Sequence, residues 1–344
     1  MSQDNSIKQD QHAPQSQLNR MAMAYGISRL LRVAVELNLA DHVAGGHNTA
    51  EDLSRITGTH AASLYRVMRA LANQGIFNED TAQCFSLTPL GEALKTDAPG
   101  SVRSSVLMLT GDLLSKAMDQ LLYSVQTGKT GFERAFGMPL FEWLETHPED
   151  SSLFSETMAC HHGTEHAAVA ASYDFSPFPI IVDVGGATGH LLAQILSRSP
   201  EPRGILYDLP HVVSRATALL ESFGLTDRVR IEPGSFFERV PPAGDAYLLS
   251  HVLHDWAEEQ CLIILENCRR AMKPGSRLLI IEMVLPGGSA PHAAKRLDIS
   301  MLVLTGGQQR DEREYRELLS KAGFRLARVV STESPTSIVE AFPV

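Results

Sequence analysis

Two groups of residues in this chain have types and spacings that can do chemistry. The first is Val182-Asp183-Val184-Gly185-Gly186-Ala187-Thr188-Gly189-His190, followed after an apolar stretch by Tyr207-Asp208-Leu209-Pro210. It reads as a strand, a tight glycine turn, a helix and a second strand ending in an acid, which is half of a nucleotide-binding α/β unit. Glycine lets the backbone turn sharply and come close to a ligand. Asp208 follows Gly189 by 19 residues (208 − 189). That spacing puts its carboxylate at the tip of the next strand, where it can accept hydrogen bonds from ribose hydroxyls. A dinucleotide loop needs G-x-G-x-x-G, but counted from Gly185 the second and third positions hold Ala187 and His190. No Walker Lys-Ser/Thr pair follows either. The ligand that remains is an adenosine without a pyrophosphate, and S-adenosylmethionine (SAM) matches that description.

The second group is Ser250-His251-Val252-Leu253-His254-Asp255-Trp256 with Glu282. Each lies where an apolar strand ends, at Leu248-Leu249 and at Leu278-Leu279-Ile280-Ile281, and open α/β sheets bind ligands at such C-terminal strand ends. A helical stretch over 257–272 links the two strands, so His254 and Glu282 are expected at neighbouring tips despite a separation of 28 positions (282 − 254). A histidine backed by a carboxylate is an acid/base pair: the carboxylate fixes the tautomer and stabilises the imidazolium. Such a base can take the proton of a phenol. Other readings stay open. His254 could cap a helix or touch a ligand without chemistry, Asp255 could be the N-cap of the 257–272 helix, and Trp256 could be core. His251 competes for the same role. His161, His162 and His166 could form a pocket or a metal site, but no cooperating carboxylate is evident.

The elements that must position these residues follow from periodicity. After Pro177, strands are predicted at 180–184, 204–208, 229–233, 245–250 and 277–282, with a C-terminal pair near 325–331 and 337–342. Helices are predicted at 188–198, 211–223, 257–272 and 311–322. This alternation is a doubly wound α/β sheet. Residues 1–16 are polar and read as a disordered tail, and Gln17 to about Gly45 reads as helical. Thr49 caps a helix with Asp52 at N3, and His60–Asn73 forms a second helix with Leu64, Val67, Met68 and Leu71 on one face. Ile76-Phe77 and Phe85-Ser86-Leu87-Thr88 suggest a hairpin. Helix–turn–helix plus hairpin is a winged-helix pattern, and residues 101–170 are helical again around a break at Thr127-Gly128-Lys129-Thr130-Gly131. The expected organisation is a 1–16 tail, a 17–100 winged-helix-like dimerisation domain, a 101–176 helical linker and substrate-pocket region, and a 177–344 SAM-binding domain.

Composition narrows the partners. A net charge of −10 over 344 residues argues against nucleic acid or an anionic membrane, which require clustered Lys and Arg. Within 47–95, Arg55, Arg66, Arg69 and Lys95 stand against Glu51, Asp52, Glu79, Asp80 and Glu92, an unsuitable balance for a DNA reader. Cys84, Cys160, Cys261 and Cys268 show no C-x-x-C spacing and read as reduced, mostly buried thiols of a cytoplasmic protein. No secretory signal or membrane-spanning run is evident.

The order of these motifs resembles class I SAM-dependent O-methyltransferases of the plant caffeate/hydroxyindole type, in their bacterial secondary-metabolite (phenazine- and anthracycline-like) branch. The matching residues are Val182-Asp183-Val184-Gly185-Gly186, Asp208-Leu209-Pro210, His254-Asp255-Trp256, Glu282 with Leu285-Pro286, and Gly306-Gly307. The resemblance runs from about residue 17 to nearly the end of the chain. It implies a Rossmann-like sheet preceded by a winged-helix dimerisation domain, no metal, and roles by position. Asp208 with Leu209 would hold the ribose. Asp183, Gly185, Gly186 and Ser250 would border the methionine portion, and Ser235 and Phe236 would flank the adenine. His254 would be the general base with Glu282 as its orienting partner, and Asp255 and Asp298 would belong to the acceptor side. Three departures stand out: Ser235 replaces an acid, Ser250 replaces a lysine, and Gln309 replaces a second Glu. The last leaves Glu282 as the sole partner of the base unless Asp311 substitutes.

The reaction so implied is methyl transfer by direct displacement to an aromatic hydroxyl of a small, polycyclic bacterial metabolite such as a phenazine, anthracycline or naphthoate. Candidate lining residues are Trp143, Phe154, Met158, His162, Met301, Leu302 and Val303, in a mostly apolar pocket whose methionines adapt to broad rings. The apolar content of residues 17–45 suggests helices that interleave with a second copy about a two-fold axis. Competing readings are N-methylation, a SAM-dependent relative that transfers no methyl group, and a SAM-sensing winged-helix regulator.

Overall fold

The computed structural model describes residues 13–344, apart from the side chains of 159 and 161–164. Most of the tail expected over 1–16, namely 1–12, therefore lies outside the described residues. The chain divides into two compact units, 1–115 with 148–160, and 116–147 with 161–344.

The first unit is built from α1 (Pro14–Glu36), α2 (Leu39–Ala44), α3 (Ala50–Thr57), α4 (Ala61–Asn73), β1 (Phe77–Glu79), β2 (Phe85–Leu87), α5 (Pro89–Glu92) and α6 (Arg103–Thr110). α1 begins inside the expected tail, with its proline at the first turn, where the missing N–H costs nothing. The helical stretch expected over 17–45 is divided at Asn38, which takes a left-handed conformation that asparagine tolerates. Arg103 holds the break, donating to Asn38 Oδ1 at 2.7 Å and to the Val35 carbonyl at 3.0 Å. Thr49 caps α3 as expected, its Oγ1 accepting from Asp52 N at 3.1 Å, a bond worth about 1 kcal/mol. Leu39, Leu53, Leu64, Met68, Leu71, Phe77 and Phe85 form one core, so α3, α4 and the β1–β2 hairpin make the winged-helix arrangement read from the sequence.

α7 (Asp112–Met118) and the long α11 (Pro148–Ser172) run from one unit into the other along the chain. The second unit contains α8 (Leu121–Thr127), α9 (Gly131–Phe136) and α10 (Leu140–Thr146). Its sheet section comprises β3 (Ile180–Val184), α12 (His190–Arg198), β4 (Arg203–Asp208), α13 (Pro210–Val213), α14 (Ala216–Ser222), β5 (Val229–Pro233), β6 (Ala246–Ser250), α15 (Glu258–Ala271) and β7 (Arg277–Glu282). It ends with α16 (Ala293–Leu304), α17 (Glu312–Lys321), β8 (Phe324–Ser331) and β9 (Ser337–Pro343). The strand order is β5-β4-β3-β6-β7-β9-β8. The first five strands are parallel, and β9 and β8 pair antiparallel at the edge.

Both faces of the sheet are buried, as its parallel five-stranded part requires. Val182, Val184, Tyr207 and Leu249 pack into one core, and Ile181, Leu206, Leu248 and Ile281 into the other. Truncating one of these leucines costs about 2–5 kcal/mol. The helix expected over 211–223 is two helices, because Ser214 Oγ donates to the His211 carbonyl at 2.8 Å and competes with the helical ladder. The strand order changes its direction of progression between β3 and β6, with β4 and β5 on one side and β6 and β7 on the other, while these strands all stay parallel. This switch point fixes where a ligand can enter.

Candidate active site

The loop after β3 is shaped for a close ligand. Gly185 has φ +71°, and a Cβ there would lie 2.9 Å from Val252 Cγ2 and 3.4 Å from Phe236 Cε1. A Cβ on Gly186 would strike the Asp183 carboxylate at 2.5 Å. Asp183 is fully buried, and neither carboxylate oxygen has a partner in good hydrogen-bond geometry, although the Leu192 backbone N–H exerts a weak stabilising pull. Burial, reinforced by the charge of Asp208, pushes its carboxyl up to about 7. An orphaned buried carboxylate needs an explanation, and a polar, cationic ligand in this cradle supplies one. Asp208, at the end of β4, braces the loop: Oδ2 accepts from Ala187 N at 2.8 Å and Oδ1 from Leu209 N at 2.7 Å. Burial raises its carboxyl as well. Ser250 Oγ, at the end of β6, is buried without a partner. The Ser235 carbonyl accepts from the Tyr207 hydroxyl at 3.0 Å, and the Phe236 ring packs edge-on to Phe237. These residues can hold the adenosine and amino-acid ends of SAM.

Val252 ties this cradle to the second group. The chain leaves β6 through His251, whose φ of +53° is left-handed, a costly backbone state that clusters at functional sites. It then forms a short 3₁₀ turn, Leu253–Asp255. His254 is 7% exposed. Its ring was expected to be oriented by Glu282, and the geometry corrects that. Glu282 Oε1 accepts from the backbone N of His254 at 3.0 Å, and Oε2 accepts from the Tyr315 hydroxyl. Glu282 therefore anchors the turn that carries the base, because the tip of β7 reaches the main chain rather than the ring. Facing His254 Nδ1 at 2.8 Å is the side-chain amide of Gln309. Asp255 Oδ1 lies 3.7 Å from Nε2, beyond hydrogen-bond range.

The charges around the turn are unusual. Burial raises Glu282 above the usual carboxylate range, against the pull of Tyr315, His251 and Arg310. Burial first, and then Glu282, raise Asp255 well above its usual value, so Asp255 favours its neutral form. Arg310, 2% exposed, donates to the Leu253 carbonyl at 2.9 Å and clamps the turn from the other side. His251 Nε2 pairs with Glu165 Oε1 at 2.6 Å, and Thr336 donates to the same oxygen.

Asp255 does not cap α15, whose N-cap is Ala257. Asp311 does not support the base, since it forms a capping box with Glu314 at the start of α17. Asp298, expected in the acceptor pocket, accepts from Gln309 N at 2.8 Å through Oδ1 and holds that loop in place. Val303 is fully buried in the core, Met301 is 7% exposed, and Leu302 is half-buried. Trp143 stacks on His147 with ring centroids 3.5 Å apart and meets Phe136 edge-on. Phe154 and Met158 lie on α11 within the first unit. The His162 side chain lies outside the described residues. Among the described residues no group of three or more His, Cys, Asp or Glu could hold a metal, and no helix is long and apolar enough to cross a membrane. Cys261 and Cys268 are buried, while Cys84 and Cys160 are half-buried.

Arg310, Tyr315 and the Glu165–His251 pair escaped the sequence reading. The one available signal was Gly306-Gly307, since a glycine often marks close backbone approach. A Cβ on Gly307 would fall 2.0 Å from the His254 carbonyl oxygen.

Comparison with known proteins agrees with this geometry. The O-methyltransferase domain family matches residues 118–325, and the O-methyltransferase dimerisation domain matches 19–97. The chain is 43% identical to phenazine O-methyltransferase PhzM of Lysobacter antibioticus, over 95% of this chain and 96% of that protein. The crystal structure of LaPhzM superimposes with a TM-score of 0.91 at 42% identity, covering 96% of this chain and 99% of that one. An O-methyltransferase from neocarzinostatin biosynthesis, solved with SAM and 2-hydroxy-5-methyl naphthoic acid, superimposes with a TM-score of 0.83 at 32% identity, covering 92% and 96%. The chain belongs to the SAM-dependent O-methyltransferase family, among its bacterial secondary-metabolite members.

Proposed function

We propose that this enzyme methylates an aromatic hydroxyl of a small polycyclic metabolite, with His254 as the general base. The observation that carries this reading is the contact of Val252 and Phe236 with Gly185, which sets the His254 turn against the glycine cradle. SAM, when bound, supplies an electrophilic methyl group on a sulfonium. Asp208 holds the ribose hydroxyls with the Leu209 backbone beside it, and Ser235 and Phe236 flank the adenine. Asp183, Gly185, Gly186 and Ser250 border the amino-acid end. His254 Nε2 takes the acceptor proton as the oxygen attacks the methyl carbon in line. With SAM bound, the methyl group would pass to that oxygen, a C–O bond replacing the C–S bond whose electron pair would stay on sulfur, and S-adenosylhomocysteine would leave. Holding both partners in near-attack geometry supplies most of the rate, and general-base catalysis adds about 10²–10⁴-fold. Glu282 keeps the His254 turn in place from the main-chain side.

On the acceptor side, Met301 and Leu302 offer apolar surface suited to a broad ring, with Trp143 and Asp255 as further candidates. The phenazine and naphthoic acid named for the relatives support a fused aromatic acceptor. The test is incubation with SAM and a panel of hydroxylated phenazines, naphthoates and anthracyclines, with products located by NMR. A methyl group on oxygen is expected; a methyl group on nitrogen, or turnover without methylation, would overturn the reading.

The enzyme acts as a homodimer. Leu18, Met21, Met23 and Tyr25 on α1 are each more than 60% exposed, more apolar surface than a lone helix presents. The match to a dimerisation domain supports the same conclusion. Light scattering at micromolar concentration is expected to give twice the 37.6 kDa chain mass; a monomer would contradict it.

A further inference from the structure

Gln309 sits in the loop between α16 and α17 with only 2% of its surface exposed. Its side-chain nitrogen lies 2.8 Å from His254 Nδ1, while its Oε1 is buried without a partner. Amide nitrogen and oxygen are alike in shape, so the hydrogen-bond network decides which way the group points. The two orientations have opposite chemical consequences. An amide N–H donating to Nδ1 needs a lone pair there, and a neutral ring then carries its proton on Nε2, where it can accept nothing. An amide oxygen at Nδ1 needs an N–H there and leaves the lone pair on Nε2. Once the ring has taken a proton, both nitrogens are donors, and an amide N–H would face an imidazole N–H. Only the oxygen-inward orientation serves both the resting and the protonated ring.

We propose that Gln309 is the positioning residue that sets the tautomer of the base: its Oε1 accepts the His254 Nδ1 proton and keeps the Nε2 lone pair directed at the acceptor hydroxyl. This deepens the assignment of His254 as base and rests on it. The scaffold is built to hold this contact. Asp298 accepts from Gln309 N at 2.8 Å, and Arg310, the next residue, is bound to the Leu253 carbonyl. Gly307 allows the loop to pass directly over the His254 main chain.

The choice of an amide also selects the substrate. A carboxylate at Nδ1 would stabilise the imidazolium and make the ring more basic, whereas a neutral amide orients it without adding charge. Among the described residues, the groups near the ring have their own partners. Asp255 is 3.7 Å from Nε2 and favours its neutral form. Glu282 binds the backbone N and Tyr315. His251, with its ring 5.3 Å away, pairs with Glu165. Arg310 binds the Leu253 carbonyl. A base of modest strength suits an acceptor whose hydroxyl is itself acidic, such as one on an electron-poor fused heteroaromatic ring.

The test is nitrogen-15 NMR of histidine-labelled full-length protein, with His254→Ala used to assign the signal and Gln309→Leu and Gln309→Glu as probes. The wild type is expected to show Nδ1 protonated and Nε2 bare. Gln309→Leu is expected to lose that preference and to lower kcat/KM toward a hydroxyphenazine by about 10–100-fold, with the KM for SAM unchanged. Gln309→Glu restores the tautomer, raises the ring's titration by about one to three units, and moves the rise of the pH–rate profile to higher pH. A wild-type ring protonated on Nε2, or a tautomer unchanged in Gln309→Leu, overturns the proposal, and the wild-type spectrum decides it even if a variant fails to fold. If His254→Ala keeps full activity while the tautomer follows Gln309, the assignment of the base fails and the positioning role stands.

Discussion

Gly307 offers the sharpest test of how the site is assembled. A Cβ at this position would lie 2.0 Å from the His254 carbonyl oxygen, 2.6 Å from the Asp255 carbonyl carbon and 2.7 Å from Trp256 N. All three are main-chain atoms that cannot rotate aside, and the turn that carries them is tied to Glu282 and Arg310. Non-bonded atoms settle at about 3.5 Å, so in Gly307→Ala the loop must part from the turn by about 1 Å or more. The displaced loop carries Gln309 away from the base. A misplacement of this size costs on the order of 10²-fold in rate, and the overpacking itself costs about 1–3 kcal/mol of stability. The cradle at Gly185 and Asp208 is untouched, so affinity for S-adenosylhomocysteine stays near wild type. The assay is kcat/KM alongside calorimetric binding of S-adenosylhomocysteine. A folded Gly307→Ala enzyme within about threefold of wild-type kcat/KM would refute the claim that this close approach positions the base.

Two further predictions concern the cofactor end. Asp208→Ala removes the acceptor that braces Ala187 N as well as the proposed ribose contact; at about 1.5–3 kcal/mol per charged hydrogen bond, calorimetry is expected to show weaker S-adenosylhomocysteine binding by about tenfold or more, and an unchanged Kd would remove the ribose role. Asp183 titrates near 7 in the fold against an ordinary value of 3.8. A raised folded value means stability is full below the unfolded value and is lost as pH rises through the folded one. Ionisation of Asp183 therefore costs the ligand-free protein up to about 4 kcal/mol between pH 4 and pH 8. Asp183→Asn is expected to flatten that fall in denaturant titrations, and parallel pH curves for the two proteins would contradict it.

The parts of the site carried by contiguous sequence were legible. The glycine loop and Asp208 show through local spacing, and His254 and Glu282 show because strand ends can be read from apolar runs. The partner of the ring was legible only through the family resemblance, which sets Gln309 where relatives carry a second Glu, and not through spacing or periodicity. Gln309 and His254 are 55 positions apart and Tyr315 and Glu282 are 33 apart, and each pair meets only after the α16–α17 loop folds back over the 3₁₀ turn. Periodicity carries no record of such a contact. It reports that Glu282 ends a strand at the right tip, but not that its oxygens reach a backbone N–H and a tyrosine. The broken helices had the same origin, since Ser214 and Asn38 redirect the chain through single side-chain bonds that a hydrophobic pattern does not register.

The central claim, a methyl transfer served by His254, is tested most directly by His254→Ala, with turnover of an accepted hydroxylated aromatic measured beside S-adenosylhomocysteine affinity. The account predicts a loss of about 10²–10⁴-fold in kcat with the Kd essentially unchanged. A variant that binds S-adenosylhomocysteine normally and turns over within about threefold of wild type would contradict it.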